Sequence, residues 1–167
     1  RIGFHSKSIN FHNKAEKIMD NLKAKDPSSF VPDLYAANRI NIANAYTQKN
    51  NAEMALNAYG QAEQIIIDVY GKDDHRLAPV FAGYGAIYSS QNNFKDAEYY
   101  ILKSLEFNKI GLGVNHDDVA RNYYNLGVLY DEHNIISTAD KYFTKALEIR
   151  ERVLDQDHLE IATTLHK

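Results

Sequence analysis

The 167-residue chain contains no cysteine and no tryptophan, and only three prolines. Without cysteine there is no disulfide, no thiolate metal ligand and no cysteine nucleophile. That usage fits a reducing compartment, so a cytoplasmic location is the expectation. An excess of one charge is missing too. Nineteen Lys and Arg face 22 Asp and Glu, a formal net charge of −3, and nothing draws the whole molecule to nucleic acid or to an anionic membrane. No apolar run approaches the roughly 18–20 residues of a membrane span, and no membrane insertion is expected. The opening Arg1-Ile2-Gly3-Phe4-His5-Ser6-Lys7 is neither an initiator methionine nor a signal peptide. What remains is 44% apolar and 25% charged, a globular composition with length for one sizeable core.

What the chain does have is internal repetition. Sliding it by 42 residues brings Tyr46, Tyr88 and Tyr130 into register, together with Ala55, Ala97 and Ala139. Ala43, Gly85 and Gly127 form a small column, and Ile42, Tyr84 and Leu126 a large apolar one. Tyr59, Ile101 and Phe143 are followed three residues on by Ala62, Ser104 and Ala146. Ahead of each unit runs a fourfold column of Ala36, Ala78, Ala120 and Ala162, preceded by Tyr35, Leu77, Val119 and Ile161. Such agreement in one register marks a repeat protein, whose units stack because none can bury its own apolar face alone.

Inside each unit the period is helical. Val119, Tyr123, Leu126, Gly127 and Tyr130 follow a 3.6-residue spacing, and Ala139, Phe143, Ala146, Ile149 and Val153 resume it after a polar break. Asn50, Asn92 and Asn134 share one column in that break, where a left-handed residue would end the first helix. Asp33 and Asp117 suit the first-helix N-termini, and Pro79 a first turn. The spacing predicts helix pairs at 33–48 with 52–70, 76–90 with 94–110, and 117–132 with 136–154. Ala15, Ile18, Met19 and Leu22 place a further helix within 5–24, outside the 42-residue register.

The order large–small–x–x–Tyr, then Ala-x-x-x-aromatic-x-x-Ala, resembles the tetratricopeptide (TPR) signature. In the third unit His116-Asp117-Asp118-Val119-Ala120, Asn125-Leu126-Gly127-Val128-Leu129-Tyr130 and Lys145-Ala146-Leu147-Glu148-Ile149-Arg150-Glu151-Arg152-Val153-Leu154 look like the longer variant found in kinesin light chains. His158-Leu159-Glu160-Ile161-Ala162 opens another unit in the same style. The resemblance implies an all-α, right-handed superhelical solenoid of antiparallel helix pairs. It would be a single domain over 1–167, with a degenerate partial repeat at 1–32, repeats at 33–74, 75–116 and 117–158, and a partial repeat at 159–167. One departure is Arg39, which stands where later units carry Phe81 and Tyr123. The chain reads as a fragment of a longer solenoid.

In that family the first helices line a concave face that grips a peptide. Carried over by column, this implies Asn41, Asn44 and Gln48 in the first unit, with Ala37, Ile40 and Thr47 beside them. The second unit would present the small row Pro79, Ala82, Gly83, Ala86, Ser89 and Ser90. The third would present Arg121, Tyr124, Asn125 and Asp131, with Val128 and Glu132, and Thr163 and His166 would extend the row. Asn41 and Asn125 occupy the column where the family places an Asn that hydrogen-bonds ligand backbone, since an amide both donates and accepts. The plainer alternative is that these are solvated helix positions or hydrogen bonds between helices. The family's clamp on a C-terminal carboxylate is not expected, because its columns here read Ile40, Asn44, Gly83, Arg121 and Asn125, with too little positive charge.

Catalytic motifs find no support. No HExxH occurs, Gly111-Leu112-Gly113 is a lone GxG after a helix, and Asp155-Gln156-Asp157-His158 is too short for a calcium loop. His75, His116 and His158 fall in inter-repeat loops, where the family keeps a structural histidine. Acidic pairs such as Asp73-Asp74 read as caps. The N-terminal lysines are interleaved with Glu16, Asp20 and Asp26, leaving no nucleic-acid stripe. The expectation is a non-enzymatic scaffold or adaptor that binds a protein or peptide, without metal or cofactor. The rivals are a regulatory or sensor module of a larger signalling protein, and a spacer that self-associates through uncapped repeat ends.

Overall fold

The computed structural model describes residues 2–155 and 158–166, the first five of these by their backbone only. Arg1 of the first partial repeat, Gln156 and Asp157 of the third repeat and its acidic run, and Lys167 of the last partial repeat lie outside the described residues. The helices are α1 (Ile2–Lys25), α2 (Pro32–Gln48), α3 (Ala52–Tyr70), α4 (Ala78–Ser90), α5 (Phe94–Leu112), α6 (Asp117–Glu132), α7 (Ile136–Val153) and α8 (Leu159–Leu165). Short 3-10 turns, Pro27–Ser29 and His75–Leu77, precede α2 and α4. No strand occurs among the described residues, and each end of the three helix pairs lies within two residues of its sequence expectation. Contacts divide the chain into two units, Arg1–Gly83 and Tyr84–Lys167, with the boundary inside α4.

The breaks between paired helices are built from asparagine. Asn50, Asn92 and Asn134 have φ of 56°, 58° and 59°, the left-handed conformation that Asn tolerates best after Gly. Each closes a helix C-terminus: the N–H of the following residue donates to the carbonyl five residues back, Asn51 to Tyr46, Asn93 to Tyr88 and Ile135 to Tyr130, at 2.9–3.0 Å. In the first two breaks the next Asn also caps the second helix, Asn51 accepting from the Met54 N–H and Asn93 from that of Asp96. At the front of the first helices, Asp74, His116 and His158 cap through side chains that accept an N–H two residues on, at 2.9, 3.1 and 3.3 Å. Asp33 and Asp117 lie one step further in, within the first turn, where their charge suits the helix dipole.

The small columns exist because their partners are large. In the second unit a Cβ added to Gly85 would meet Ile101 Cγ1 at 2.6 Å, and one added to Gly127 would meet the Phe143 ring at 2.6 Å. In the first unit a Cβ on Gly83 would fall 2.1 Å from the Tyr59 ring. Ala97 and Ala139 are buried to 0% and 1% exposure at the matching positions of the second helices. Aromatic rings fill the remaining space in the second unit: Tyr130 packs between Phe94 and Tyr142, with centroids 5.2 and 5.5 Å away.

The N-terminal helix α1 packs on α2 through polar pairs rather than repeat columns. Asn38, buried to 6%, accepts a hydrogen bond on its Oδ1 from His12 Nδ1 at 2.8 Å and donates its Nδ2 to the His12 carbonyl at 3.2 Å. Arg39 pairs with Glu16, which accounts for an arginine where later units carry an aromatic ring. Burial raises the Glu16 pKa, and the Arg39 charge offsets only part of that rise.

Two measurements check this packing. Gly127→Ala and Ala139→Leu are each expected to lower stability by roughly 1–3 kcal/mol in urea titration, because each overpacks a closed crossing. The Tyr130 hydroxyl donates to the Glu98 carboxylate, and that bond together with burial pushes its pKa to about 12. A phenol whose folded pKa exceeds its unfolded value of about 10 contributes fully below pH 10 and loses that contribution as pH rises toward 12. Tyr130→Phe should cost roughly 1–2 kcal/mol at neutral pH. Its melting temperature should then fall less than that of the unsubstituted protein between pH 10 and pH 12.

Candidate functional site

The residues expected to grip a partner lie on the first helices, and the structure sorts them by what their side chains already do. In the first unit Asn41, Asn44 and Gln48 are all exposed on α2. Asn44 accepts a 2.5 Å hydrogen bond from the Tyr59 hydroxyl of α3, so its carbonyl oxygen serves the pair of helices. Tyr59 is 1% exposed, and burial raises its pKa, so the hydroxyl stays protonated and donating. Asn41 and Gln48 make no side-chain hydrogen bond to another described residue. Thr47 bonds back to the Ala43 carbonyl at 3.0 Å.

The small row splits. Pro79 and Ala86 are exposed and Ala82 is half-buried, but Gly83 is buried beneath the Tyr59 ring and presents nothing outward. Ser90 donates to the Ile87 carbonyl at 2.7 Å. Gly83 therefore belongs to the packing, not to an open surface, because the ring sits where a side chain would be.

In the second unit Arg121 is exposed on α6 but neutralised on its own helix: it pairs with Asp118 and lies 3.5 Å from Asp117 Oδ2. With two carboxylates already at its guanidinium, it is poorly disposed to receive a third. Tyr124 is half-buried, its ring 5.5 Å from that of Phe143 and 5.2 Å from the Arg150 guanidinium carbon. Asn125 and Asp131 are half-buried on the same helix, and the Asn125 side chain makes no hydrogen bond to another described residue. On α8 Thr163 and His166 are exposed, with the Thr163 hydroxyl bonded to the Leu159 carbonyl at 2.6 Å.

Behind this face lies a cluster that sequence reasoning missed. Arg150 is a charged residue only 1% exposed. Its Nη1 donates to Thr164 Oγ1 at 2.6 Å and to the Glu160 carbonyl at 3.1 Å, and its Nη2 reaches Glu160 Oε2 at 2.8 Å. Its Nε lies 3.4 Å from Asp117 Oδ1. One side chain on α7 thus ties α6 to α8 and supports the Tyr124 ring. The 42-residue register hid it, because the same column holds Ile66 and Asn108. Only the next unit's Glu160 and Thr164, read together with Asp117, would have pointed to it.

Asn122 and Thr164 share a buried column with Asn38 and Val80, another feature the expected rows omitted. The Asn122 Nδ2 is buried without a hydrogen-bond partner. Among the described residues no group of three His, Cys, Asp or Glu is disposed to hold a metal ion, and no helix is long and apolar enough to cross a membrane. Arg150→Ala would remove the bonds that join α7 to Thr164 and Glu160 of α8 and is expected to cost about 2–3 kcal/mol. Amide exchange should accelerate most along α8, and unchanged protection there would show that the helix docks without this cluster.

Two family models, both described as tetratricopeptide repeat, match residues 33–110 and 119–160, together more than two thirds of the chain. A comparison with curated proteins finds no match. Among solved structures, the fold is similar to that of BtubC (BKLC) from P. vanneervenii, with a TM-score of 0.73 at 20% identity over 99% of this chain and 79% of that one. Repeats of this kind are, in general, protein–protein interaction modules. The chain belongs to the tetratricopeptide-repeat family, with an all-α solenoid fold of paired helices.

Proposed function

We propose that the chain is a non-catalytic scaffold that binds an extended or helical segment of a partner protein along the outer faces of its first helices. The observation that carries this reading is the contrast between two kinds of polar residue on α2 and α6. Asn44, Arg121 and Tyr124 are held by Tyr59, by Asp117 and Asp118, and by Arg150 and Phe143. Asn41, Gln48 and Asn125 have no such internal bond. Side-chain amides on a rigid helix can donate to and accept from a peptide link at little ordering cost. In this reading Asn41, Gln48 and Asn125 clamp partner backbone. Asn44, Arg121, Tyr124 and Asp131 set the shape and charge of the helix face around them, and repeats 33–74, 75–116 and 117–158 are the proposed structural units.

Asn41→Ala with Asn125→Ala is expected to weaken partner capture by about 10-fold or more, each lost backbone clamp being worth roughly 1 kcal/mol. Helicity and melting temperature should not fall, since neither side chain is bonded within the fold and Ala is the better helix former. The check is affinity capture from the native source with mass spectrometry, the double variant beside the unsubstituted chain. Partners retained at equal yield would refute the amide clamp.

A further inference from the structure

The outer face of α5 is apolar where its counterparts are polar. Two sides of this helix are taken up by its neighbours in the second unit. Ile101 and Tyr100 pack on α4, against Gly85 and against the rings of Tyr84 and Tyr88. Phe94, Glu98 and Lys109 meet Tyr130 and Tyr123 of α6. Lys95, Tyr99, Leu102, Glu106 and Ile110 remain, all exposed and, at about 100° per residue, confined to an arc of about 80°. Tyr99, Leu102 and Ile110 are 51%, 40% and 66% exposed.

Complete helix pairs precede and follow α5 in the sequence, and the same arc lies open on α3 and α7. There the three columns hold Asn57 and Lys141, Gly60 and Thr144, and Asp68 and Arg152. Solvent is therefore the ordinary neighbour of this arc, and polar or small side chains are its ordinary content. Of these three helices α5 alone carries large apolar groups there, and the contacts Tyr99 makes with Tyr100 and Lys103 stay within its own helix.

The charges interleaved with the apolar row select its occupant. Antiparallel pairing of two α5 helices about a two-fold axis between Tyr100 and Ile101 sets Lys95 against Glu106 of the other copy. The same axis sets Tyr99 against Leu102, and each contact then occurs twice. It also brings like edges together, and Lys103 shares an edge of the row with Asp96. Parallel pairing would oppose Lys95 to Lys95 and Glu106 to Glu106. We propose that this face of α5 is a self-association surface on which a second copy of the chain docks antiparallel, Tyr99 on Leu102 and Lys95 on Glu106. A contact this short buries less than the roughly 800 Å² per partner of a standard interface, so the dimer is weak, dissociating at about 10–100 µM. The surface is separate from the amide positions of α2 and α6 and does not depend on that reading.

Sedimentation velocity of the chain from about 5 to 500 µM should show a reversible monomer–dimer equilibrium. Tyr99→Asn with Leu102→Thr installs residues that α3 and α7 carry in those columns, as Asn57 and Thr144. This variant should stay folded by circular dichroism and be monomeric throughout. Lys95→Glu should weaken dimerisation at least about 10-fold, and Lys95→Glu with Glu106→Lys should restore it. A chain that is monomeric even at the highest concentration overturns the proposal. So does a dimer that persists in Tyr99→Asn with Leu102→Thr, which uses another face. Failure of the charge exchange to restore the dimer overturns the antiparallel register. A monomeric chain that captures a partner protein, lost in Tyr99→Asn with Leu102→Thr, assigns the face to that partner instead.

Discussion

Everything in this fold depends on a first helix coming close enough to a second for a backbone to rest against a side chain. Gly127 meets the face of Phe143 and Gly85 meets Ile101, with no room for a methyl group between them. Glycine in a helix interior costs roughly 1 kcal/mol relative to alanine, so it is retained only where something outweighs that cost. Here the gain is the full burial of a large side chain, worth about 1.5–3 kcal/mol. Once the crossing is closed, the other columns follow. The alanines of the second helices are small for the same reason, and the asparagine turns hold each pair antiparallel.

This contact also explains what was legible in the sequence. Small against large, a helical period and a left-handed asparagine are each properties of one position, and a 42-residue shift superposes them. The ends of the three helix pairs could be read to within two residues because the turn chemistry sits beside the apolar rows. The bonds of long polar side chains could not be read this way. Whether Asn44 faces a ligand or the Tyr59 hydroxyl depends on a residue fifteen positions away on another helix. Arg121 stands in the expected row, but its charge is shared with Asp117 and Asp118 on its own helix. Arg150 was invisible because its partners are drawn from two other helices while its own column is apolar or neutral elsewhere.

The first unit shows what happens where the register breaks. The helix α1 has lost the small–large columns, and it meets α2 through His12 with Asn38 and Glu16 with Arg39. Ion pairs and amide bonds fix orientation but remove less apolar surface from water than ring packing does. Its larger apolar residues are left on the outside, where the corresponding residues of α3 and α7 are inside. Arg39 is therefore not a defect in the repeat but the counterpart of a different neighbour.

Recurrence of a residue in the 42-residue register is not by itself a sign of function, and asparagine makes the point within single helices. Asn38 and Asn122 share one column, Asn41 and Asn125 another, and the two columns are three residues apart on α2 and α6. The first pair is buried, and Asn38 at least is spoken for by α1. Packing accounts for it. In the second pair Asn41 is exposed and Asn125 half-buried, and no hydrogen bond to another described residue accounts for an amide at either. A solvent-facing helix position is filled more favourably by Ala, Glu or Lys than by Asn, whose side chain competes with the helix for backbone hydrogen bonds. An amide at both positions carries a small cost in helix propensity, which in the proposed function a bond to partner backbone would offset.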